Sequence, residues 1–522
     1  MRYEACLRSH AAERPDHAAM ICAGRQVSYA ELADASERFA AALVHTQDFT
    51  NGERCVLFLE NRMETAAGLF GTLRAGGVFS VINPTTKADK LAWVLNDCEA
   101  AVLITQASLL PVARTAAAQV PSLRRVVVVD ATDGLSGHET TWDSFIGSPP
   151  ALNAAPRGID IDLAMLVYTS GSTGQPKGVM MTHANIEHAA TSIITYLRMT
   201  PDDRVLSVLP LAFDYGLYQL LMCTKLGATL VLEKSFAFPQ KILPLLESER
   251  ITGFPLVPTM AALIVQLRNF RPEWAASVKF LTNTAAALPP VHIARLRELF
   301  PQARLYSMYG MTESKRCTWL PPEELDRRPD SVGIAIPFTE VWVADDQGRP
   351  LPAGTVGELV VRGAHVMQGY WRNPEATTQA LRPGRYPWEK VLHTGDLFRM
   401  DAEGFLYFVG RKDDIIKSRG EKVSPKEVEN VLYALPGIRE AAVVGAPDAI
   451  LGRAVKAILA VDENVTITAR DVIAHCSARL EEFMVPRLVE FRDALPKTNT
   501  GKIRRATLQA EAEGLELTGE DV

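Results

Sequence analysis

Residues 168–178 read Tyr168-Thr169-Ser170-Gly171-Ser172-Thr173-Gly174-Gln175-Pro176-Lys177-Gly178, directly after the apolar run Ala164 to Val167. Glycine lets a backbone come close to a ligand and turn its N–H groups inward, hydroxyls add donors, and lysine adds positive charge. A segment of this kind leaving a strand is a phosphate cradle. A flexible loop accounts for the glycines, but not for the lysine and the upstream strand together. The Walker-type loop, with Gly, four residues, then Gly-Lys and Ser or Thr, does not fit. Five residues after Gly171 stands Pro176, and Lys177 is followed by Gly178; the other pair, Gly501-Lys502, has Pro496 where the first glycine belongs.

More chemistry-bearing segments follow: Tyr309-Gly310-Met311-Thr312-Glu313, Gly357-Glu358-Leu359, Thr394-Gly395-Asp396, Gly410-Arg411-Lys412-Asp413-Asp414 with Ile416-Lys417-Ser418-Arg419-Gly420, and Pro496 to Lys502. Singly, a Tyr-Gly is a turn beside core and a Thr-Gly-Asp is a loop. In this order, and with Leu73-Arg74-Ala75-Gly76-Gly77 through Asn83-Pro84 upstream, they resemble the motif series of the adenylate-forming superfamily. That superfamily includes acyl-CoA synthetases, peptide-synthetase adenylation domains and luciferases. The resemblance spans nearly the whole chain and is far more specific than one glycine-rich loop.

The resemblance implies an ATP-dependent reaction in which a carboxylate attacks the α-phosphorus and expels pyrophosphate, chemistry governed by positioning and charge neutralisation. It would give Thr169, Ser170, Gly171, Ser172, Thr173, Gly174 and Lys177 to the β- and γ-phosphates of ATP. Tyr309 would stack on adenine, Thr312 would touch the α-phosphate, Glu313 would help hold Mg²⁺, and Asp396 would accept the ribose hydroxyls with Arg411 nearby. Lys502, which as an isolated residue is a surface lysine, would serve the α-phosphate in the transition state once a small domain closes. Asp413 would be the hinge of that closure, against the plainer reading of a linker charge.

For the acid itself, Phe213 falls at the family's aromatic gate between nucleotide and acyl sites. Asp214 follows it as in amino-acid-activating members, although Gly216 stands where those have serine; an ammonium receptor and a structural aspartate both stay open. Tyr218, the stretch 257–260, Asn283, Ala285 and Ala286 are further pocket candidates. Lys315 and Arg316 put two cations directly after Glu313, and neither spacing nor resemblance assigns them a role.

The acceptor has to arrive in trans, as CoA or a phosphopantetheinyl carrier protein, giving an acid–thiol ligase of the acyl-CoA synthetase kind. The rivals are an amide-forming ligase, a stand-alone amino-acid-activating enzyme and a non-catalytic nucleotide-binding protein. No G-x-S-x-G or H-E-x-x-H pattern supports a hydrolase.

These residues need a scaffold. Ser28-Tyr29-Ala30-Glu31 is a capping box that predicts a helix over about 29–44, and Ser424-Pro425-Lys426-Glu427 predicts another with Val428, Val431, Leu432 and Leu435 on its apolar stripe. Short β-rich runs at 55–59, 101–104, 125–129, 164–168 and 229–232 alternate with helix-length segments, the grammar of parallel α/β layers. After about 410 the pattern changes to strands at 441–444 and 455–461, a helix near 468–482, and an acidic tail after Leu508 that reads as frayed. The expected fold is therefore α/β, a large multi-layer body with doubly wound sheets followed by a small α+β lid. The expected division is 1–410 for the ATP- and acyl-binding body, 411–414 for the hinge and 415–522 for the lid carrying Lys502.

The whole composition agrees with a globular enzyme: 522 residues, 47% hydrophobic and 22% charged. Lysine plus arginine number 55 against 61 acidic residues, a net charge of -6, which argues against nucleic acid as the main partner. The 7 cysteines are scattered without a C-x-x-C pair, and no run of ~18 apolar residues offers a membrane span. A cytoplasmic location is expected.

Overall fold

The structure, a computed structural model, describes residues 1–522 other than 148, 153–157, 170–175, 285–287, 413, 415, 419–420, 449–451, 463–464, 481, 499–501 and 515–522. Among those residues four sheets carry the architecture. The eight-stranded sheet runs Gly369–Tyr370, Lys177–Thr182, Leu163–Thr169, Val78–Val81, Arg54–Phe58, Ala100–Gln106, Arg125–Val129 and Glu139–Thr141. From Leu163–Thr169 onward its pairs are parallel. Neighbouring residues on these strands enter different cores: Cys55 and Leu57 join the main cluster, while Val56 and Phe58 join the cluster under helices Ala88–Asp97 and Leu110–Ala117. A sheet covered on both faces needs apolar residues at every position, which is why these strands read as unbroken apolar runs.

The nine-stranded sheet has the order Ile334–Ala335, Thr318–Leu320, Arg304–Tyr309, Phe280–Asn283, Gly253–Leu256, Arg204–Ser207, Thr229–Leu232, Ala18–Cys22 and Arg25–Ser28. Its middle is parallel, so the carboxyl ends of Arg304–Tyr309, Phe280–Asn283 and Gly253–Leu256 open on the same edge, the usual place for a ligand crevice in α/β sheets. A third, antiparallel sheet of Thr339–Ala344, Val356–Gly363, Lys390–Met400 and Leu381–Pro383, with Leu406–Arg411 paired to Lys390–Met400, was not anticipated as a separate layer. The fourth sheet uses only residues from 416 onward and packs helices Pro425–Tyr433, Ala469–Ser477 and Arg505–Ala512 over its own small cores. The protein is thus a mixed α/β molecule with a large amino-terminal part and a small carboxy-terminal α+β domain.

Local signals translate well. The helix Tyr29–Thr46 begins in the full capping box, Glu31 N donating to Ser28 Oγ at 3.1 Å and Ser28 N donating to Glu31 Oε2 at 2.7 Å. At Ser424 the hydroxyl accepts from Glu427 N at 3.3 Å and itself donates to the carbonyl of Val409, tying the small domain to the last strand of the third sheet. Three expectations shift. The helix expected near 468–482 spans Ala469–Ser477, because Leu480 and Phe483 fold back onto the small core. Helix Pro425–Tyr433 stops short of Leu435. The tail is helical beyond Leu508 as far as Ala512, since Leu508 is fully buried and Gln509 donates to Gly445 O at 2.7 Å. Among the described residues no helix is long and apolar enough to cross a membrane.

Candidate active site

Strands Leu163–Thr169 and Lys177–Thr182 form an antiparallel hairpin with Thr169 opposite Lys177, so the glycine- and hydroxyl-rich segment is held at both ends. Ser170, Gly171, Ser172, Thr173 and Gly174 lie outside the described residues. Lys177 Nζ sits 5.4 Å from the centre of the Tyr370 ring, and the Tyr370 hydroxyl donates to Glu313 Oε1 at 2.7 Å. The edge strand Gly369–Tyr370 therefore joins the lysine of the hairpin to the buried Glu313 carboxylate. Burial, and next the Glu313 charge, push the Tyr370 hydroxyl far above its ordinary pKa, so it stays a donor.

Glu313 sits in a tight turn after strand Arg304–Tyr309. Ser314 N and Lys315 N both donate to Met311 O, at 3.1 and 2.7 Å, and Cys317 N closes the turn on Tyr309 O at 2.9 Å. A Cβ on Gly310 would lie 2.1 Å from Lys315 O, so only glycine allows this closure. Thr312 is half-buried in the same turn.

On the other side, Tyr309 Oη donates to Asp396 Oδ2 at 2.6 Å and Arg411 Nε donates to Asp396 Oδ1 at 3.0 Å. Strand pairing puts Asp396 directly opposite Arg411. The Tyr309 ring packs edge-on against Phe398 at 4.8 Å. The turn before Asp396 is held by Glu358, which accepts from Gly395 N at 3.0 Å and pairs with His393 at 3.2 Å and Lys412 at 3.6 Å. Burial alone would raise the Glu358 pKa; His393, the Gly395 amide and Lys412 overcome it and hold the carboxylate at about 2.

At the expected acyl end, Phe213 precedes helix Asp214–Leu226, with Asp214 in its first turn, where the helix field favours a carboxylate. The Tyr215 hydroxyl donates to Thr282 O at 2.9 Å, docking the helix on strand Phe280–Asn283, whose terminal Asn283 is buried. Ala285 and Ala286 lie outside the described residues. A Cβ on Gly216 would meet Pro210 O at 2.3 Å, so the serine of amino-acid-activating members has no room there. Lys315 and Arg316 turn out to be buried: Lys315 Nζ lies 5.9 Å from the Tyr218 ring centre and Arg316 4.7 Å from that of Tyr215. Burial lowers the Lys315 pKa to about 8, with the Asp214 and Glu313 charges opposing.

Lys502 stands in a loop closed by Thr498 N donating to Lys502 O at 2.7 Å and by Lys502 N donating to Thr498 Oγ1 at 3.1 Å. Its pKa is lowered, first by desolvation and also by Arg411, with Asp214 and Asp396 opposing. Those three charges belong to the large part, so Lys502 of the small domain lies within electrostatic reach of them. Asp413 lies outside the described residues; its neighbour Asp414 accepts from Arg505 Nη1 of the small domain at 3.1 Å. Tyr370 and His393 were missed by sequence reasoning, and Glu358 appeared there only inside a motif without a role. Neither Tyr370 nor His393 has a spacing signal that could have found it.

The family described as AMP-binding enzyme matches residues 7–371, and its carboxy-terminal domain matches residues 427–502. The chain belongs to the AMP-binding, adenylate-forming enzymes. Among relatives of this AMP-binding enzyme, a feruloyl-CoA synthase from Amycolatopsis sp is 34% identical, covering 95% of this chain and 96% of the relative. A long-chain-fatty-acid–CoA ligase from Escherichia coli O6:H1 is 31% identical over 96% of this chain and 92% of its own. Among solved structures, ATP-bound MatB from Rhodopseudomonas palustris superposes with a TM-score of 0.89 at 29% identity, covering 98% of this chain and 99% of that one. Apo MatB, with the same identity and coverage, gives 0.79.

Proposed function

We propose that this AMP-binding enzyme is an AMP-forming acyl-CoA synthetase. A carboxylate attacks the α-phosphorus of ATP and pyrophosphate leaves; the CoA thiolate then attacks the acyl carbon of the adenylate and AMP leaves. CoA is assigned as acceptor because the curated relatives named above are CoA ligases or synthases. They differ in the acyl group they are named for, so the acid is set by the pocket of this chain. The closed approach of the backbone at Gly216 speaks against amino-acid activation.

In this reading the hairpin around Thr169 and Lys177 grips the terminal phosphates, Tyr309 offers its ring face to adenine, and Asp396, aligned by Tyr309 and Arg411, accepts from the ribose. Mg²⁺ fits beside Glu313, a buried carboxylate with Oε1 engaged by Tyr370, because this ion is usually held by few carboxylates plus substrate phosphates. There it supplies charge neutralisation. Thr312 and Lys502 face the α-phosphate, where negative charge builds in the transition state.

The observation that supports the reading best is that the charges of Asp214, Asp396 and Arg411 act on Lys502, which belongs to the small carboxy-terminal domain. The greater likeness to ATP-bound than to apo MatB supports an orientation suited to adenylation. Acid-dependent exchange of labelled pyrophosphate into ATP tests the first half reaction, and mass spectrometry with CoA, a carrier protein or amines tests the second. AMP and an acyl-CoA are expected. Release of ADP and phosphate, or ATP binding without exchange across a broad acid panel, overturns the reading.

A further inference from the structure

Two polar atoms at the acyl end lack a hydrogen-bond partner among the described residues: Lys315 Nζ and the Tyr218 hydroxyl, on side chains each 1% exposed. The two side chains are neighbours, the ammonium lying 5.9 Å from the Tyr218 ring centre. Lys315 also adopts φ 64°, a left-handed conformation that L-residues with side chains avoid. The backbone enforces it: Lys315 N donates to Met311 O at 2.7 Å, and Lys315 O accepts from Arg316 Nη1 at 2.6 Å. A strained backbone thus drives an ammonium into the interior, where no described carboxylate lies within ion-pair distance. Arg316 cannot help, being a second cation, stacked on Tyr215.

Burying an ammonium without an acceptor is unfavourable, and strain of this kind persists where the surroundings use it. The location is the acyl end: Tyr218 is one helical turn beyond Asp214, and the Asp214 charge acts on both Lys315 and Lys502. Lysine carries donors only, and a tyrosine hydroxyl donates one more. Together they suit the two oxygens of a carboxylate.

We infer that the acid activated here carries a second anionic oxygen group, in the simplest case a second carboxylate, bound by Lys315 Nζ and the Tyr218 hydroxyl while the reacting carboxylate faces Lys502. This rests on the proposed synthetase reaction and names its substrate class. Lys315 and Tyr218 are then specificity-determining residues.

The test is pyrophosphate exchange with matched pairs: succinate against butyrate, glutarate against pentanoate, adipate against hexanoate, and terephthalate against 4-methylbenzoate. At least one diacid should exceed its partner by about tenfold or more in kcat/KM, the scale of a buried charge-assisted hydrogen bond. Lys315→Met should collapse that ratio towards one, mainly through KM for the diacid, and Tyr218→Phe should lower it in part. Because Lys315→Met replaces an unpartnered cation with an apolar chain, its Tm should equal or exceed that of the wild type, a response that a purely structural lysine would not give. Calorimetric binding of the preferred diacid, weakened in Lys315→Met, checks the site without turnover. Exchange with monoacids but no diacid preference overturns this inference and leaves the synthetase reading standing, as does a preference that survives in Lys315→Met. No exchange with any acid overturns both.

Discussion

Lys502 and Tyr370 act at the scale of single atoms. In the proposed reaction Lys502 acts where charge develops, so Lys502→Ala should lower the adenylation rate by about a hundredfold or more while ATP affinity changes little. Pyrophosphate exchange set beside equilibrium ATP binding checks this; equal losses in both would make Lys502 a simple ligand of ATP. Tyr370 touches Glu313, donating to it at 2.7 Å. Removing that donor in Tyr370→Phe should raise the Mg²⁺ concentration needed for half-maximal exchange by about tenfold, the usual scale for a residue that orients a metal ligand. Lys177, Glu313, Asp396 and Arg411 were legible in the sequence because each stands in a motif with internal spacing. Tyr370 was not, because its partner is 57 residues away and nothing in Gln368-Gly369-Tyr370-Trp371 signals the meeting.

Among elements, the turn 309–317 has the tightest requirement. Its closure brings Lys315 O to 2.1 Å from any Cβ at position 310. Gly310→Ala should therefore destabilise by about 1–3 kcal/mol, the range for forced overpacking, and should disturb Glu313 and Lys315 together. A melting curve and the Mg²⁺ dependence of exchange would show both effects; an unchanged Tm would mean that the turn can relax. Capped helices and doubly buried parallel strands were readable because caps and apolar runs are local. The third sheet was not, because its strand Thr339–Ala344 is partly exposed and mixes Glu340 and Trp342 with Val341 and Val343, which blurs the alternation that marks a strand. The sequence assigned no role to Lys315 and Arg316; the tertiary structure buries both.

For the whole molecule, proton binding couples the layers to stability. His183 and His365 are buried, and desolvation, the largest cause for each, lowers their pKa to about 3 and about 4. The unfolded chain takes up these protons near pH 6.5 while the folded chain refuses them, so stability falls as pH drops below about 6.5. Glu358, held at about 2, adds the same sign lower down: its contribution is present above about 4.5 and is lost as pH falls towards 2. Each group contributes up to about 1.4 kcal/mol per pH unit within its window. Tm should fall as pH drops below 6.5, and more steeply below 4.5. His365→Gln should flatten the first part and Glu358→Gln the second; a wild-type profile level down to pH 4 would contradict the assignment.

The sequence by itself determined the family and the α/β class and named the candidate nucleotide-handling residues, because those depend on short segments whose spacing is chemically constrained. Tertiary structure decided what no short segment contains: that Tyr370 joins Lys177 to Glu313, that Glu358 and His393 hold the Asp396 turn, that charges of the large part act on Lys502 of the small domain, and that Lys315 lies buried beside Tyr218. These are contacts between distant parts of the chain, and they exist only once burial has removed water and left particular donors and acceptors facing one another.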